Sequence, residues 1–419
     1  MKHNRLPLPL SLIVWFSLTA CSHPPLPTAA NLDKAQQRPP PYRYHALPVQ
    51  YTAPLAHSPA LSTSEATVQP TLANLRFIVM GDTRELIKGE SPLPARDPRS
   101  VRQQLAQAAA LLQPAFILHT GDCVAHGASQ ADWRRFDQDF RPIKDIPLMV
   151  IPGNHEYRSE NLLTRSPHNL HHFFQRFALP KQDLLGEALP HGPTGPYWYS
   201  FHYGPIAVIA LDTNLVTDTW DFIANHKHER RDFEMVTQQE WQAELRFLKT
   251  NLDAIDQSSA IQHVFVMMHH SIFTRGKHPS TRPLWDDPIE VAPYGKLTLQ
   301  GILQQSHKLR AVFSGHNHNY ERYLCRRAQP LPPIWYIVAG NGGAPGESLR
   351  NRTQMAAGDF GPPPDKSGCQ EVQDEYRQNL PGQDNEDIYG FLQVDVQGAK
   401  VSIKMLPLAT PPDQDEMTF

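Results

Sequence analysis

Five short clusters of acidic, amide and imidazole residues occur along the chain: Gly81-Asp82, Gly121-Asp122, Gly153-Asn154-His155-Glu156, His269-His270 and Gly315-His316-Asn317-His318. Asp, Asn and His offer the oxygen and nitrogen donors that borderline divalent metals take. Each cluster alone is ordinary. A Gly-Asp pair is commonly a turn, a histidine after a strand is commonly a satisfied core residue, and a lone HxH occurs by chance. Their conjunction is informative because every cluster follows an apolar run of strand length, which predicts metal-dependent chemistry at a shared site.

The elements that must position these residues are legible as runs and periods. Leu75–Met80, Ala115–His119, Leu148–Ile151, Val264–Met268 and Ala311–Phe313 read as buried strands, each leading into one cluster. Between the first two, Asp97 to Pro114 carries Val101, Leu105, Ala108, Leu111 and Leu112 at helical spacing, and Pro114 ends it. Ile206–Leu211 is a further buried run ending near Asp212. Thr237-Gln238-Gln239-Glu240 reads as a capping box opening a helix through Trp241, Leu245, Leu248 and Leu252. Ile334–Val338 meets Gly340-Asn341-Gly342-Gly343, and Phe391–Leu406 reads as a hairpin turning at Gln397-Gly398. Ligands of open α/β sheets lie beyond the carboxyl ends of the strands, so the five clusters are predicted to converge.

This order of motifs resembles the calcineurin-like metallophosphoesterase superfamily over roughly Leu75 to Leu406. His316-Asn317-His318-Asn319-Tyr320-Glu321-Arg322 is similar to the GHxHxYER run of purple acid phosphatases, and Tyr336 to Gly343 resembles the strand and glycine turn that follow it. The resemblance implies an α/β fold, a sandwich of two mixed β-sheets flanked by helices, without the separate N-terminal β domain of the large plant enzymes. It also implies two divalent or trivalent metal ions (Fe, Mn or Zn). Asp122 would bridge them, Asp82 and His318 would complete the first site, and Asn154, His269 and His316 would hold the second. His269 is preferred to His270 because the ligand of the family follows its strand directly. A metal-bridging hydroxide would attack a phosphate ester of a small molecule, a phosphomonoester before a diester. His155 would serve as general acid and Glu156 would orient it. The alternatives are a nucleotide or phosphodiester hydrolase, or a phosphate-binding protein of the same fold with little turnover.

Two positions depart from that pattern. Ala125 stands where purple acid phosphatases carry a tyrosine, so no purple colour is expected. Arg84 stands where families with a DxH first motif place a histidine ligand, leaving the first metal one protein ligand short, with His126 as a weak substitute. A guanidinium has no lone pair and cannot bind metal. It can offer a forked donor to a phosphoryl oxygen, and its charge would favour a dianionic monoester. The plainer reading pairs Arg84 at the surface with Glu85 or Glu90.

The remaining sequence concerns location. Lys2 and Arg5 precede an apolar run from Leu6 to Ala20 that is too short, and too interrupted by Pro7 and Pro9, for a membrane span. Leu18-Thr19-Ala20-Cys21 resembles a bacterial lipobox, which implies a signal peptide over 1–20, lipidation of Cys21 and an anchor in the cell envelope; Ser22 after the cysteine resembles outer-membrane sorting. Residues 21–73 are read as a Pro-rich tether, with ten prolines between Ser22 and Pro70. A catalytic body over 74–408 and a tail over 409–419 follow. With 39 Lys and Arg against 42 Asp and Glu, the net charge of −3 gives no basis for nucleic-acid binding. Cys325 and Cys369 either pair or remain separate thiols, and Cys123 reads as a small buried residue. The long loops 158–195, 273–294 and 345–387 follow metal motifs, where loops set specificity.

Overall fold

The computed structural model describes residues 43–55, 74–408 and 415–418, apart from 53, 88, 91–96, 160–166, 190, 193–194, 197, 215–229, 279–287, 348, 350–368 and 373–388. The predicted signal sequence and Cys21 lie outside the described residues.

Two mixed sheets form the body. The first runs, in spatial order, Asp415–Thr418, Lys400–Pro407, Gly390–Gln397, Leu75–Met80, Phe116–His119 and Leu148–Val150. The second runs Cys369–Glu371, Tyr320–Cys325, Ile334–Ala339, Leu309–Ser314, His263–Met267, Ile206–Ala210 and Tyr199–Tyr203. The three strands from 75 to 150 are mutually parallel, as are the four centred on 206–210, 263–267, 309–314 and 334–339. Strands buried on both faces should be apolar throughout rather than alternating. IAVIA and HVFVM are buried along their whole length. Phe77 and Phe116 of the first sheet stack at 4.9 Å, and Phe77 meets Phe265 of the second edge-on at 5.2 Å, which joins the inner faces into one core.

The first predicted helix is present over Pro98–Leu111, with Asp97 as its N-cap accepting from the Arg99 amide. The second differs. It spans Arg230–Gln257, so Thr237 lies inside a helix already under way and the capping-box motif does not open it. Nothing between Arg230 and Val236 breaks a helix, and propagation past a potential cap is favoured once a nucleus exists. The hairpin is confirmed, turning at Gly398 with φ +58°. Strands 199–203 and 320–325 were not predicted, because their polar residues hide the apolar pattern although both are almost wholly buried.

Two expected flanking segments are partly structural. Tyr44 and Leu47, placed by sequence in a free tether, are buried; Tyr44 stacks on Phe177 at 5.4 Å and its amide donates to the Arg176 carbonyl. Tyr51 stacks on Tyr203, and the Leu55 amide donates to the Leu184 carbonyl. At the other end, residues 415–418 of the expected tail pair with 402–405 as an edge strand. Sparse aromatic residues in a Pro-rich segment show no period, yet each can fill one pocket on a preformed body. Of the two alternatives for Cys325 and Cys369, the structure shows the disulfide, formed between strands paired at those positions. Cys123 is buried and free.

Candidate metal centre

All five clusters lie just beyond the carboxyl ends of parallel strands, and three of their residues leave the strand in an unusual conformation. Asp82, Asp122 and His316 have φ values of +54°, +56° and +69°. A non-glycine residue held there costs on the order of 1–3 kcal/mol and such residues concentrate at functional sites. The turn reverses the chain at once, aiming each side chain across the strand ends. Two glycines make room: a Cβ on Gly153 would lie 2.2 Å from Asp122 Oδ1, and one on Gly315 would lie 2.2 Å from Asp82 Oδ2.

Four donor atoms meet at the second site. Asn154 Oδ1 is 3.1 Å from His269 Nε2 and 3.2 Å from His316 Nδ1, the two ring nitrogens are 3.3 Å apart, and His269 Nε2 is 3.5 Å from Asp122 Oδ1. His269 Nδ1–H donates to the Thr120 carbonyl at 2.8 Å, so its Nε2 presents a lone pair to the others. Lone pairs that face one another across 3.1–3.5 Å suit a shared cation, since Zn–N and Zn–O bonds of about 2.0–2.2 Å put neighbouring ligands roughly this far apart.

Asp82, Asp122 and His318 form the first group, their ligand atoms all within 4.8 Å of one another. His318 Nδ1–H donates to the Pro345 carbonyl at 2.8 Å, leaving Nε2 toward Asp82 Oδ1 at 3.7 Å. That gap is too long for a hydrogen bond. Asp82 is fully buried; burial first, and the charge of Asp122 second, push its carboxyl well above the usual range. The donor sets therefore fit two cations, whose positive charge would relieve that repulsion.

His155 lies beside this pair. Its Nδ1–H donates to the Ala125 carbonyl at 2.8 Å and its Nε2 faces Asp122 Oδ2 at 3.8 Å. The orienting group is thus a backbone carbonyl and not Glu156. Glu156 instead accepts from the amides of Asp122, Gly153, Cys123 and Val124 at 2.8, 2.6, 2.8 and 3.2 Å, clamping the Asp122 turn to the Asn154 turn. Sequence placed Glu156 next to His155 in the motif, but adjacent residues on this turn point in different directions.

Arg84 is only 3% exposed, so it is not a surface residue, yet its fork is engaged by Glu90 at 2.8 and 2.7 Å. The predicted forked donor to phosphate is therefore turned to a carboxylate in this structure. Its Nε is buried without a hydrogen-bond partner. His126 is held by Asp132 at 2.8 Å and belongs to neither donor group.

Sequence reasoning passed over two histidines. His270 groups with His269 and His316 as a candidate donor, its ring centroid 4.3 Å from that of His316 and its Nδ1 2.8 Å from the Thr213 hydroxyl. The His278 ring lies 4.8 Å from that of His316, tilted by 49°, and Asn317 grips its backbone, accepting from the His278 amide and donating to its carbonyl. The doubled histidine was the signal for His270; His278 lay within a loop that shows no period. Glu347 closes the rim beside His278 at 3.4 Å, and although burial opposes it, the hydrogen bond with His278 and neighbouring charges hold its carboxyl at about 2.

Behind the site, burial pushes His119 down to about 3. Its Nε2 meets the Thr83 hydroxyl at 3.0 Å and its Nδ1 accepts from the Gly121 amide. An unfolded histidine titrates near 6.5, so in acid the unfolded chain binds a proton that the folded chain refuses. The stabilisation from His119 is complete above about pH 6.5 and is lost as pH falls toward 3. A His119→Gln variant should consequently be weaker than the parent at pH 7.5 and recover relative to it by about 1.4 kcal/mol per pH unit between about pH 6 and pH 4. Urea unfolding of both metal-free proteins across that range measures it, and a pH-independent difference would refute a neutral buried imidazole.

Residues 75–320 match the calcineurin-like phosphoesterase family, and the chain belongs to it. Among solved structures it is similar to a purple acid phosphatase from yellow lupin (Lupinus luteus) seeds, at 16% identity and a TM-score of 0.52, over 82% of this chain and 53% of the lupin chain. It is also similar to a dimetal phosphatase from Danio rerio, at 14% identity and a TM-score of 0.42, over 82% of this chain and 98% of that one. The match thus spans about half the length of the lupin enzyme and supports the fold alone. No curated protein sequence is significantly similar.

Proposed function

We propose that this chain hydrolyses phosphate esters, phosphomonoesters in preference to diesters, at a two-cation centre. The observation that carries this reading is the position of Asp122, whose carboxylate belongs to the Asp82/His318 group and also faces His269 of the Asn154/His269/His316 group. Two cations held by these groups would supply an activated water and compensate charge on the phosphoryl oxygens. The protein's own side chains then have defined tasks. His155, with Nδ1–H committed to Ala125, can take up a second proton only at Nε2, the atom on the Asp122 side, and delivers that proton to the leaving alkoxide. Arg158, whose Nη1 lies 3.4 Å from His155 Nδ1, provides positive charge beside the centre, which supports the monoester preference.

His155→Ala should lower kcat by about 10² to 10⁴, the usual contribution of a positioned acid, while retaining most of the metal. Turnover of a chromogenic phosphomonoester alongside metal analysis tests this; loss of metal equal to the loss of rate would place His155 among the ligands. A substrate panel of mono- and diesters separates the phosphatase reading from the phosphodiester alternative, and absence of turnover with metal supplied favours the phosphate-binding protein.

The location we propose is the bacterial cell envelope, with a lipid anchor at Cys21 and the body facing the periplasm or cell surface. The lipobox-like end of residues 1–21 supports it, as does the Cys325–Cys369 disulfide, which suits an oxidising compartment. Among the described residues no helix is long and apolar enough to cross a membrane. Cys21→Ala should move the protein from the membrane fraction to the soluble fraction; a variant that stays membrane-bound would refute the anchor.

A further inference from the structure

The two donor groups are unequal, and the inequality lies at Arg84. The second site gathers Asp122, Asn154, His269 and His316 with neighbouring donor separations of 3.1 to 3.5 Å. The first has three protein donors, Asp82, Asp122 and His318. The strand-end position two residues past Asp82 is filled by a guanidinium that has no lone pair at any pH. It is buried, and it is locked in place by the two hydrogen bonds from its fork to Glu90. A further bond from Arg84 Nη1 to the Glu85 carbonyl at 2.9 Å fixes it to its own turn, while Glu85 is itself tied to Arg102 and Arg135 at 3.1 and 2.7 Å. Arg84 therefore cannot swing away without giving up both bonds from its fork to Glu90 and its bond to the Glu85 carbonyl.

Resting on the two-cation reading, we infer that the sites load in order: the Asn154/His269/His316 site binds its cation tightly, and the Asp82/His318 site binds weakly because Arg84 excludes a fourth protein donor from it. Two physical effects act in the same direction. The missing donor removes one metal–ligand bond, and a permanent cation is buried two residues past Asp82, where its charge opposes that of an incoming metal ion. Glu90 offsets part of that charge without supplying a ligand while its oxygens are held by Arg84. The weak site would then fill only at higher metal concentration or when a phosphate oxygen completes its shell, so metal supply would control the fraction of competent enzyme.

Equilibrium dialysis of the metal-free full chain against Mn²⁺ and, separately, Zn²⁺ tests the order without any assay of activity. Wild type should bind one equivalent at least tenfold more tightly than the second. His316→Ala should abolish the tight equivalent, and Asp82→Asn the weak one. Arg84→His, which restores a lone pair at the same backbone position, should tighten the second equivalent at least tenfold, whereas Arg84→Ala, which removes the charge without adding a donor, should tighten it less. Two equal equivalents in wild type, or loss of the tight one in Asp82→Asn, would overturn the loading order while leaving the two-cation reading intact. A single equivalent in both wild type and Arg84→His at millimolar metal would overturn the two-cation reading itself, and the loading order with it.

Discussion

Asp122→Asn should reduce kcat/KM by about 10³-fold or more, a loss of roughly 4 kcal/mol of transition-state stabilisation, and should lower the bound metal. The geometry sets the size of this effect. One carboxylate serves both donor groups, so an amide removes negative charge from two sites together while its shape still fits beneath Gly153. Asparagine tolerates the left-handed backbone at this position, so the fold is retained. The metal-free variant should even be at least as stable as the metal-free parent, because Asp82 loses the repulsion of a second buried carboxylate. This opposite response of activity and stability separates a metal ligand from a structural residue. Metal analysis, steady-state kinetics and thermal unfolding in the presence of chelator measure the three quantities; an active, fully metallated Asp122→Asn would remove Asp122 from the bridging position.

Glu156→Gln should behave in the reverse manner, with a large loss of stability from a change of one atom. Each carboxylate oxygen accepts from two backbone amides, Oε2 from Asp122 and Gly153 and Oε1 from Cys123 and Val124. Whichever way a glutamine turns, its NH₂ group faces two N–H donors that have lost their acceptor. At about 1–3 kcal/mol for each buried donor left unsatisfied, the variant should lose about 2–6 kcal/mol. Burial and the charge of Asp122 push the Glu156 carboxyl upward, against four backbone donors that favour its ionised form, so cations at Asp122 should strengthen the clamp. Denaturant unfolding with and without added metal checks this. A variant as stable as the parent would show that the two turns are held together by other contacts. The sequence motif assigns Glu156 to catalysis through His155; the hydrogen bonds assign it to holding Asp122 and Asn154 at a fixed separation.

The contrast between these two residues shows where sequence ceases to inform. The five strands and the candidate donor at the end of each are local facts: an apolar run of strand length must be buried, and a polar donor directly after it must emerge at the strand end. That is why Asp82, Asp122, Asn154, His269, His316 and His318 stood among the candidate donors, whereas the choice among neighbouring donors and the two-sheet architecture came from the family resemblance. What a neighbouring side chain does on a left-handed turn depends on atoms far away in the chain. Glu156 turns to the amides after Asp122, His155 to a carbonyl at Ala125, and Asn317 to the backbone of His278; no spacing along the chain encodes those pairings. Arg84 was visible as an anomaly, but whether it met phosphate or carboxylate was decided by Glu90 returning to it across the turn. The aromatic residues at 44 and 51 needed a finished surface before they could pack. The sequence by itself determined which donors stand at the strand ends, since that follows from burial and chain direction. Only the tertiary structure decided how those donors are oriented, spaced and charged, because hydrogen bonds and electrostatic interactions depend on distances that folding alone creates.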